Sequence, residues 1–448
     1  MHPVRYHIVT LGCAKNIADS DRIGRVLGEG KHVETGAPAA ADVIIVNTCG
    51  FIDASKEESV NTILALASAK VASQRLVVAG CLSAIHGDEL KAEIPEIDAV
   101  FGAEDWSGIA GYARTLEPVV FDRQRYDVPE TTPLPALRPR LSAYLKISDG
   151  CNAPCTFCII PKMKGKLHSA PADGLVAEAR RLADAGVREI VLVAQDSTDY
   201  GRDLGLRDGL PGLLERISGA APDVPWLRIM YAYPGHVTRR LAETMARLPN
   251  VVPYIDVPLQ HAAEPMLRRM KRPANAAMVR DMLAMLRGVM PHIAIRTTFI
   301  VGYPGETEAE FAELLAFVRE MAFDHVGCFT FSPQSESPAA HEPDQVPERV
   351  KRRRRRQLME VAQQVSLIRN RALVGREIDV LVESTAEARR PEAGEGMVVG
   401  RSYRDAPEVD GLVLLHGDFA PGALVRATVT RALAYDLIAE PVAAAVPA

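Results

Sequence analysis

Short apolar runs punctuate the first quarter of the chain, with longer mixed stretches between them. His7-Ile8-Val9-Thr10-Leu11, Asp42-Val43-Ile44-Ile45-Val46 and Arg75-Leu76-Val77-Val78-Ala79 read as three strands. A helix is predicted from about Asp19, with Ser20 and Asp21 as caps. A second runs from about Asp53 to Ala69, because Val60, Ile63, Leu64 and Ala67 fall at helical spacing. Strands separated by helices predict a parallel sheet.

The alternation resumes at residue 141 and continues to about 332. Candidate strands are 142–147, 188–194, 226–231, 253–257, 293–300 and 325–331, with helical patterns between them such as 172–185, closed by Gly186. Six βα units predict an open, partial barrel, since a full barrel needs eight. One more helix covers 347–373. The pattern then turns all-β, with runs such as Glu377–Val382 and Gly411–Leu415 between glycine-rich turns. That predicts a small antiparallel barrel of the OB type.

The expected organisation is an α/β domain over 1–115, a proline-punctuated extended linker over 116–140, a central barrel over 141–368, a terminal β-barrel over 369–437 and a frayed tail over 438–448. No internal repeat is visible.

Composition is ordinary for a globular protein, 48% apolar and 24% charged. The net charge of −5 excludes a globally basic nucleic-acid binder. No apolar stretch reaches 18 residues, and the N-terminus lacks the pattern of a signal peptide, so a cytoplasmic protein without a membrane span is expected. Thiols stay reduced there, and seven cysteines are present.

Three of them form Cys151-Asn152-Ala153-Pro154-Cys155-Thr156-Phe157-Cys158, directly after a predicted strand. Three thiolates on one loop can hold three irons of a 4Fe–4S cube and leave the fourth iron open. Zinc would require a fourth ligand, and the nearest downstream histidine, His168, lies ten residues away. Cys13, Cys49 and Cys81 each sit just beyond the carboxyl end of a predicted parallel strand, the edge where ligands bind in open α/β sheets. Singly, each reads as a small buried apolar residue. Together they point to a second three-ligand cluster. Cys328 has no partner spacing and reads as core.

The local cysteine motif in this setting resembles the radical S-adenosylmethionine superfamily. The resemblance implies that the open iron binds S-adenosylmethionine, whose reductive cleavage yields a 5′-deoxyadenosyl radical. It places Phe157, Gln195, Ile300 and Gly302 among the residues near that cofactor. Phe157 and the segment Thr298–Glu306 would lie against the adenine. Gln195, Asp196 and Gln260 would line the cavity, although each also suits a turn or cap.

Taken with the three spread cysteines and the terminal barrel, the chain resembles the methylthiotransferase family over roughly residues 5–437. The terminal barrel would then be a TRAM domain. These enzymes replace C–H by C–S–CH3, with sulfur delivered at the second cluster and a methyl group from a second S-adenosylmethionine. Leu11-Gly12-Cys13-Ala14-Lys15-Asn16, Asn47–Ile52, Asp256–His261 and Ala194–Gly201 resemble the branch that modifies an aspartate β-carbon of the small-subunit ribosomal protein numbered twelve. The other branch modifies adenosine in transfer RNA.

Two segments depart from the family pattern. Lys164 stands where arginine is usual, which keeps the charge and loses the bidentate fork. Ser332–Ser337 also differs.

Charge distribution bears on the substrate. Residues 369–448 carry nine arginines, no lysine and twelve acidic residues, a net of −3, which suits a basic protein better than RNA. The run Lys351–Arg356 reads either as a solvated helix face or as a ribosomal RNA contact. The resemblance further implies two 4Fe–4S clusters, a flavodoxin- or ferredoxin-like electron donor, a sulfur donor, a substrate protein met in or near the ribosome, and a monomeric enzyme. The alternatives are a transfer-RNA methylthiotransferase and, from another class, a non-catalytic iron–sulfur or zinc module that docks on the ribosome.

Overall fold

In the computed structural model, which describes residues 3–103, 105–116, 140–272, 275–385 and 396–442, the three strands predicted at the start of the chain are neighbours in one parallel sheet. The first segment runs β1 (Arg5–Thr10), α1 (Ala14–Glu29), β2 (Val33–Glu34), β3 (Val43–Thr48), α2 (Asp53–Ala69), β4 (Arg75–Gly80), α3 (Cys81–Glu93), β5 (Ala99–Val100) and α4 (Trp106–Thr115). The sheet order is β2-β1-β3-β4-β5. Central β3 is buried along its whole length, with Ile63 and Ala67 of α2 sharing a core with Ile44 and Val46 on one face.

The helix expected from Asp19 begins instead at Ala14, so Ser20 and Asp21 lie inside it and Cys13 occupies the N-cap. The polar residues that suggested a loop are turned inward and bonded. Ser20 Oγ accepts from Thr10 and Asn47, and Asn16 ties down two neighbouring loops. The short edge strands β2 and β5 were not anticipated. The proline-punctuated stretch 117–139 falls outside the described residues.

The central unit runs β6 (Ser142–Lys146), β7 (Ser148–Asp149), α5 (Ile160–Met163), β8 (His168–Ser169), α6 (Ala172–Asp184), β9 (Glu189–Val193), α7 (Gly209–Ala220), β10 (Trp226–Ile229), α8 (Arg239–Arg247), β11 (Val251–Asp256), α9 (Glu264–Arg269), α10 (Ala276–Val289), β12 (Ala294–Val301), α11 (Glu308–Met321), β13 (His325–Thr330) and α12 (Glu348–Arg371). Six strands pair in parallel in the order β13-β12-β11-β10-β9-β6, the open barrel expected from the pattern. The helices bury their apolar faces against its outside. The inner face meets Ala14 and Ala18 of α1 and Leu381 and Ala406 of the terminal barrel in a second core.

The terminal barrel is β14 (Glu377–Thr385), β15 (Met397–Ser402), β16 (Val413–His416), β17 (Leu424–Ala432) and β18 (Leu437–Pro441), closed in the order β14-β15-β16-β18-β17. It departs from a purely antiparallel barrel at one place, where β16 and β18 run parallel. Its last strand also continues to Pro441, beyond the expected limit at 437, because Ala439 pairs with both Leu415 and Val429.

Buried ion pairs fasten this barrel to the amino ends of the central strands. Glu189 accepts from Arg228 Nε at 2.7 Å and from Arg401 Nη2 at 2.5 Å, with all three side chains essentially inaccessible. Arg404 and Arg369 both donate to Asp324, and Arg296 bridges Asp256 to Asp410.

The basic run on α12 is divided, with Lys351 and Arg354 buried and Arg352, Arg353, Arg355 and Arg356 exposed. Lys351 donates to Phe331 O at 2.7 Å, Arg354 is buried against Glu306, and Arg355 donates to Cys328 O. Arg352 and Arg353 pair on the surface with Glu348 and Glu308. Neither the solvated-face reading nor the RNA-contact reading describes the run as a whole.

Burial alone would push the Glu189 carboxyl up, but Arg401 and Arg228 outweigh it and hold it down to about 2, against an ordinary 4.5. The stability this lends is complete above the unfolded value and fades as pH falls toward 2. Glu189→Gln should destabilise the chain by about 3–5 kcal/mol near neutrality. The gap between wild type and variant should close progressively below about pH 4.5 in denaturation curves recorded at stepped pH.

Candidate functional site

Parallel register sets the first cysteine trio. Thr48 pairs with Gly80, so Cys49 and Cys81 leave adjacent strands side by side. Thr10 pairs with Asn47, and three further residues bring β1 to Cys13. Asn16 gathers the loops. Its Nδ2 donates to Leu11 O at 2.8 Å and to Thr48 O at 3.0 Å, and its Oδ1 lies 3.8 Å from Cys13 Sγ and 4.0 Å from Cys81 Sγ. Gly12 adopts a φ of +95°, and a Cβ there would come within 2.6 Å of Cys49 Cβ. Only glycine permits that turn and that approach.

The second trio stands on one loop rooted in the β7–β8 ribbon. Gly150 has a φ of +68°, and a Cβ on it would lie 2.1 Å from Lys166 O. Cys151 N donates to Gly165 O at 3.2 Å, closing the base. Each sulfur then receives one donor. Ala153 N–H points to Cys151 Sγ and Ile160 N–H to Cys158 Sγ, both at 3.4 Å, and Arg272 Nη1 lies 3.5 Å from Cys155 Sγ. Such donors stabilise thiolate and tune a cluster held by it.

The two trios face each other. Cys81 packs with Ile159, the residue after Cys158, and with Met163. Burial pushes the Cys81 and Cys158 thiols up to about 12 and raises those of Cys49 and Cys151. They therefore stay protonated until a metal takes the proton's place. In neither trio do all three sulfurs lie within 4.8 Å of one another. Tetrahedral zinc would hold its sulfurs about 3.8 Å apart. The three-sulfur donor sets fit an iron–sulfur cube with one iron left open.

Lys15, the second residue of α1, stands between the trios with Nζ 3.7 Å from the centre of the Tyr231 ring. Burial opposes its charge, but Tyr231, Cys13, Asp256 and Cys81 outweigh that and raise its pKa. Cys49 and Cys158 also feel this cation. Tyr231 takes a left-handed conformation at φ +62°, with its N–H donating to Asp256 Oδ2 at 3.2 Å.

Behind the cysteine loop lies a buried ion quartet. Asp19 of α1 accepts from Lys146 at 2.5 Å and from Lys164 at 3.0 Å, and both lysines also pair with Asp149, two residues before Cys151. Lys164 thus makes the carboxylate contacts that an arginine would make by a fork. The other departing segment has a contact of its own, since Ser332 and Gln334 donate to Asp53 at the start of α2.

The remaining predicted residues divide. Phe157 and Ile300 share one apolar cluster with Met266, Met270, Tyr303 and Phe331, and Gln195 donates to Asp149 at 2.9 Å, beside the loop. Gln260, at φ +74°, extends β11 by pairing with β12. Gly302 is already engaged: its N–H donates to Glu306, and a Cβ on it would meet Lys351 at 2.3 Å. Asp196 accepts from Thr198 and pairs with His236, forming with Asp199 a carboxylate–histidine group close to Cys151. Cys328 is buried in β13, as expected of a core residue. Lys15, Tyr231, Arg272 and, apart from Lys164, the quartet had not been singled out for this site from the sequence. Only Lys15 carried a signal, inside the Leu11–Asn16 motif.

Three family models match the chain: the Uncharacterized protein family UPF0004 over residues 5–102, the Radical SAM superfamily over 145–318 and the TRAM domain over 374–442. Among curated proteins, the ribosomal protein uS12 methylthiotransferase RimO of Roseiflexus sp. (strain RS-1) is 45% identical, with 98% of each chain covered. The protein of the same name from Chloroflexus aurantiacus is 44% identical, covering 98% of this chain and 99% of the relative. Among solved structures, the radical S-adenosylmethionine methyltransferase TsrM from Kitasatospora setae, with cobalamin and a 4Fe–4S cluster bound, superposes with a TM-score of 0.56 at 12% identity, covering 76% of this chain and 74% of that one. At that identity the likeness establishes the fold alone.

The quartet yields a direct test. Lys164→Met leaves two buried carboxylates to a single lysine and should lower stability by about 3 kcal/mol or more in chemical denaturation. Lys164→Arg should stay within about 1 kcal/mol of wild type, since it keeps the charge those carboxylates require.

Proposed function

The chain belongs to the radical S-adenosylmethionine methylthiotransferases typified by RimO, and from that membership we propose that it inserts sulfur and a methyl group at the β-carbon of an aspartate of ribosomal protein uS12. The observation that carries the reading is the apposition of two cysteine trios across Lys15, packed together through Cys81 and Ile159. Similarity over nearly the full length to uS12-modifying relatives disfavours a transfer-RNA substrate.

Membership implies a 4Fe–4S cluster and S-adenosylmethionine. We assign Cys151, Cys155 and Cys158 to the cluster that engages S-adenosylmethionine, and Cys13, Cys49 and Cys81 to a second cluster. When bound, these groups supply reductive cleavage of S-adenosylmethionine and the sulfur to be transferred. The protein's part is positional. Arg272 and two backbone N–H groups steady the sulfurs of the loop. Phe157 and Ile300 offer an apolar wall for the adenine, and Gln195 a polar contact at the loop's edge. Gly302 shapes that wall by its lack of a side chain rather than by a free N–H. The contact of Asp53 with Ser332 and Gln334 closes the first domain over the barrel, which keeps water from a reactive carbon radical.

We place the functional units at 1–115, 141–368 and from 369 through the last barrel strand. No helix among the described residues is long and apolar enough to cross a membrane. The enzyme on this reading is a cytoplasmic monomer that draws electrons from a flavodoxin or ferredoxin and sulfur from a separate donor, and meets its substrate in or near the ribosome.

Mass spectrometry of ribosomal proteins with and without the gene should show one methylthio group on uS12 that disappears on deletion, while 2-methylthioadenosine in transfer RNA is unchanged. The reverse pattern would establish the transfer-RNA reading. Anaerobically reconstituted protein should hold about eight irons per chain; about four would refute the second cluster. Cys155→Ala should abolish 5′-deoxyadenosine formation, which a non-catalytic ribosome-docking module would never show. Cys49→Ala should retain that cleavage and lose sulfur insertion.

A further inference from the structure

Lys15 is placed to act on both trios, and the ring of Tyr231 is the contact the structure records for its ammonium. Its Nζ makes no hydrogen bond and no ion pair with any described residue. The lysines nearby behave differently. Lys146 and Lys164 are each satisfied by two carboxylates, and Lys351 by a carbonyl. A partly desolvated ammonium held on an aromatic face gains from cation–π attraction but keeps its hydrogen-bonding capacity open. Its surroundings are also fixed. Asn16, the next residue, is bonded to two loops, and the backbone of Tyr231 is held by Asp256, itself paired with Arg296. The cation is therefore presented rather than mobile.

Resting on the reading above, we infer that Lys15 is a substrate-binding residue whose ammonium takes the side-chain carboxylate of the target aspartate. The β-carbon to be modified is bonded directly to that carboxylate carbon. Fixing the carboxylate at Lys15 sets the β-carbon within one bond of a point between the two trios, as two-centre chemistry demands. It also confers selectivity. An amide carries no charge to pair with a buried ammonium, so asparagine at the same position forgoes the ion pair that aspartate makes.

The test uses the full chain with its clusters reconstituted and two forms of the small-subunit protein, one with aspartate and one with asparagine at the modified position. Wild type should bind the aspartate form about thirtyfold or more tightly than the asparagine form. In Lys15→Gln and Lys15→Met, with iron content matching wild type, that ratio should fall to near one, chiefly through weaker binding of the aspartate form. Lys15→Arg should restore part of it. Neutral variants that still discriminate as wild type does would overturn the inference. So would neutral variants that fail to take up iron while Lys15→Arg loads normally, because Lys15 would then serve the clusters and not the substrate. If wild type adds no methylthio group to the aspartate form, the broader reading fails. If it adds one but binds both forms equally, only the role of Lys15 fails.

Discussion

Asp19 and Asp149 share two lysines in the interior, and the geometry of the site depends on that arrangement. Asp19 belongs to the helix that follows Cys13, Asp149 to the strand that leads into Cys151, and Lys164 closes the short helix after Cys158. One set of charges thereby fixes both cysteine trios relative to each other. Pairs of this kind contribute little net stability when compared with apolar packing, because desolvation offsets the attraction. Their value here is registry. No other arrangement of the two units brings four buried charges into mutual neutralisation, so a misdocked domain would strand them.

The opposite end of the barrel follows the same logic with different residues. Glu189, Asp324 and Asp410 meet arginines contributed from both sides of the contact with the terminal barrel. The inside of the central barrel is thus polar at its lower end, apolar in the middle and lined by sulfur and lysine at the top. Arg296 links the lower and upper parts, since Asp256, its partner, also holds the backbone of Tyr231 beneath Lys15.

Much of this was legible in the sequence. Six mostly apolar runs located the six barrel strands to within two residues, because a parallel strand buried on both faces is predominantly apolar, with Glu189, Arg228 and Arg296 as paired exceptions. The local cysteine trio was legible from spacing, and the dispersed one from its position after three strands. The beginning of α1 was misread because Asp19, Ser20 and Asp21 resemble a helix start with caps, whereas they lie inside the helix, with Asp19 and Ser20 satisfied internally. The ion quartet was invisible for a related reason. Asp19, Lys146, Asp149 and Lys164 span more than a hundred positions and obey no period, so only the fold reveals them as one group. The solvated-face reading of Lys351–Arg356 holds for four of its six residues, while helical geometry turns Lys351 and Arg354 inward.

The reach of Arg401 has a consequence for how the chain is made. Its carboxylate partner, Glu189, lies 212 positions earlier, and the loop that follows Arg401 fills the lower mouth of the barrel. While the chain emerges from the ribosome, the polar floor of the central barrel has only internal pairs, such as Glu189 with Arg228 and Asp256 with Arg296, until the final domain brings Arg401, Arg404 and Asp410. The six strands can pair before then, but the barrel cannot close on a neutral interior. The cysteine loops, whose last residue is Cys158, are synthesised well before Arg401. Vectorial synthesis therefore completes the two cysteine-bearing segments before the domain that supplies the last partners of the barrel floor.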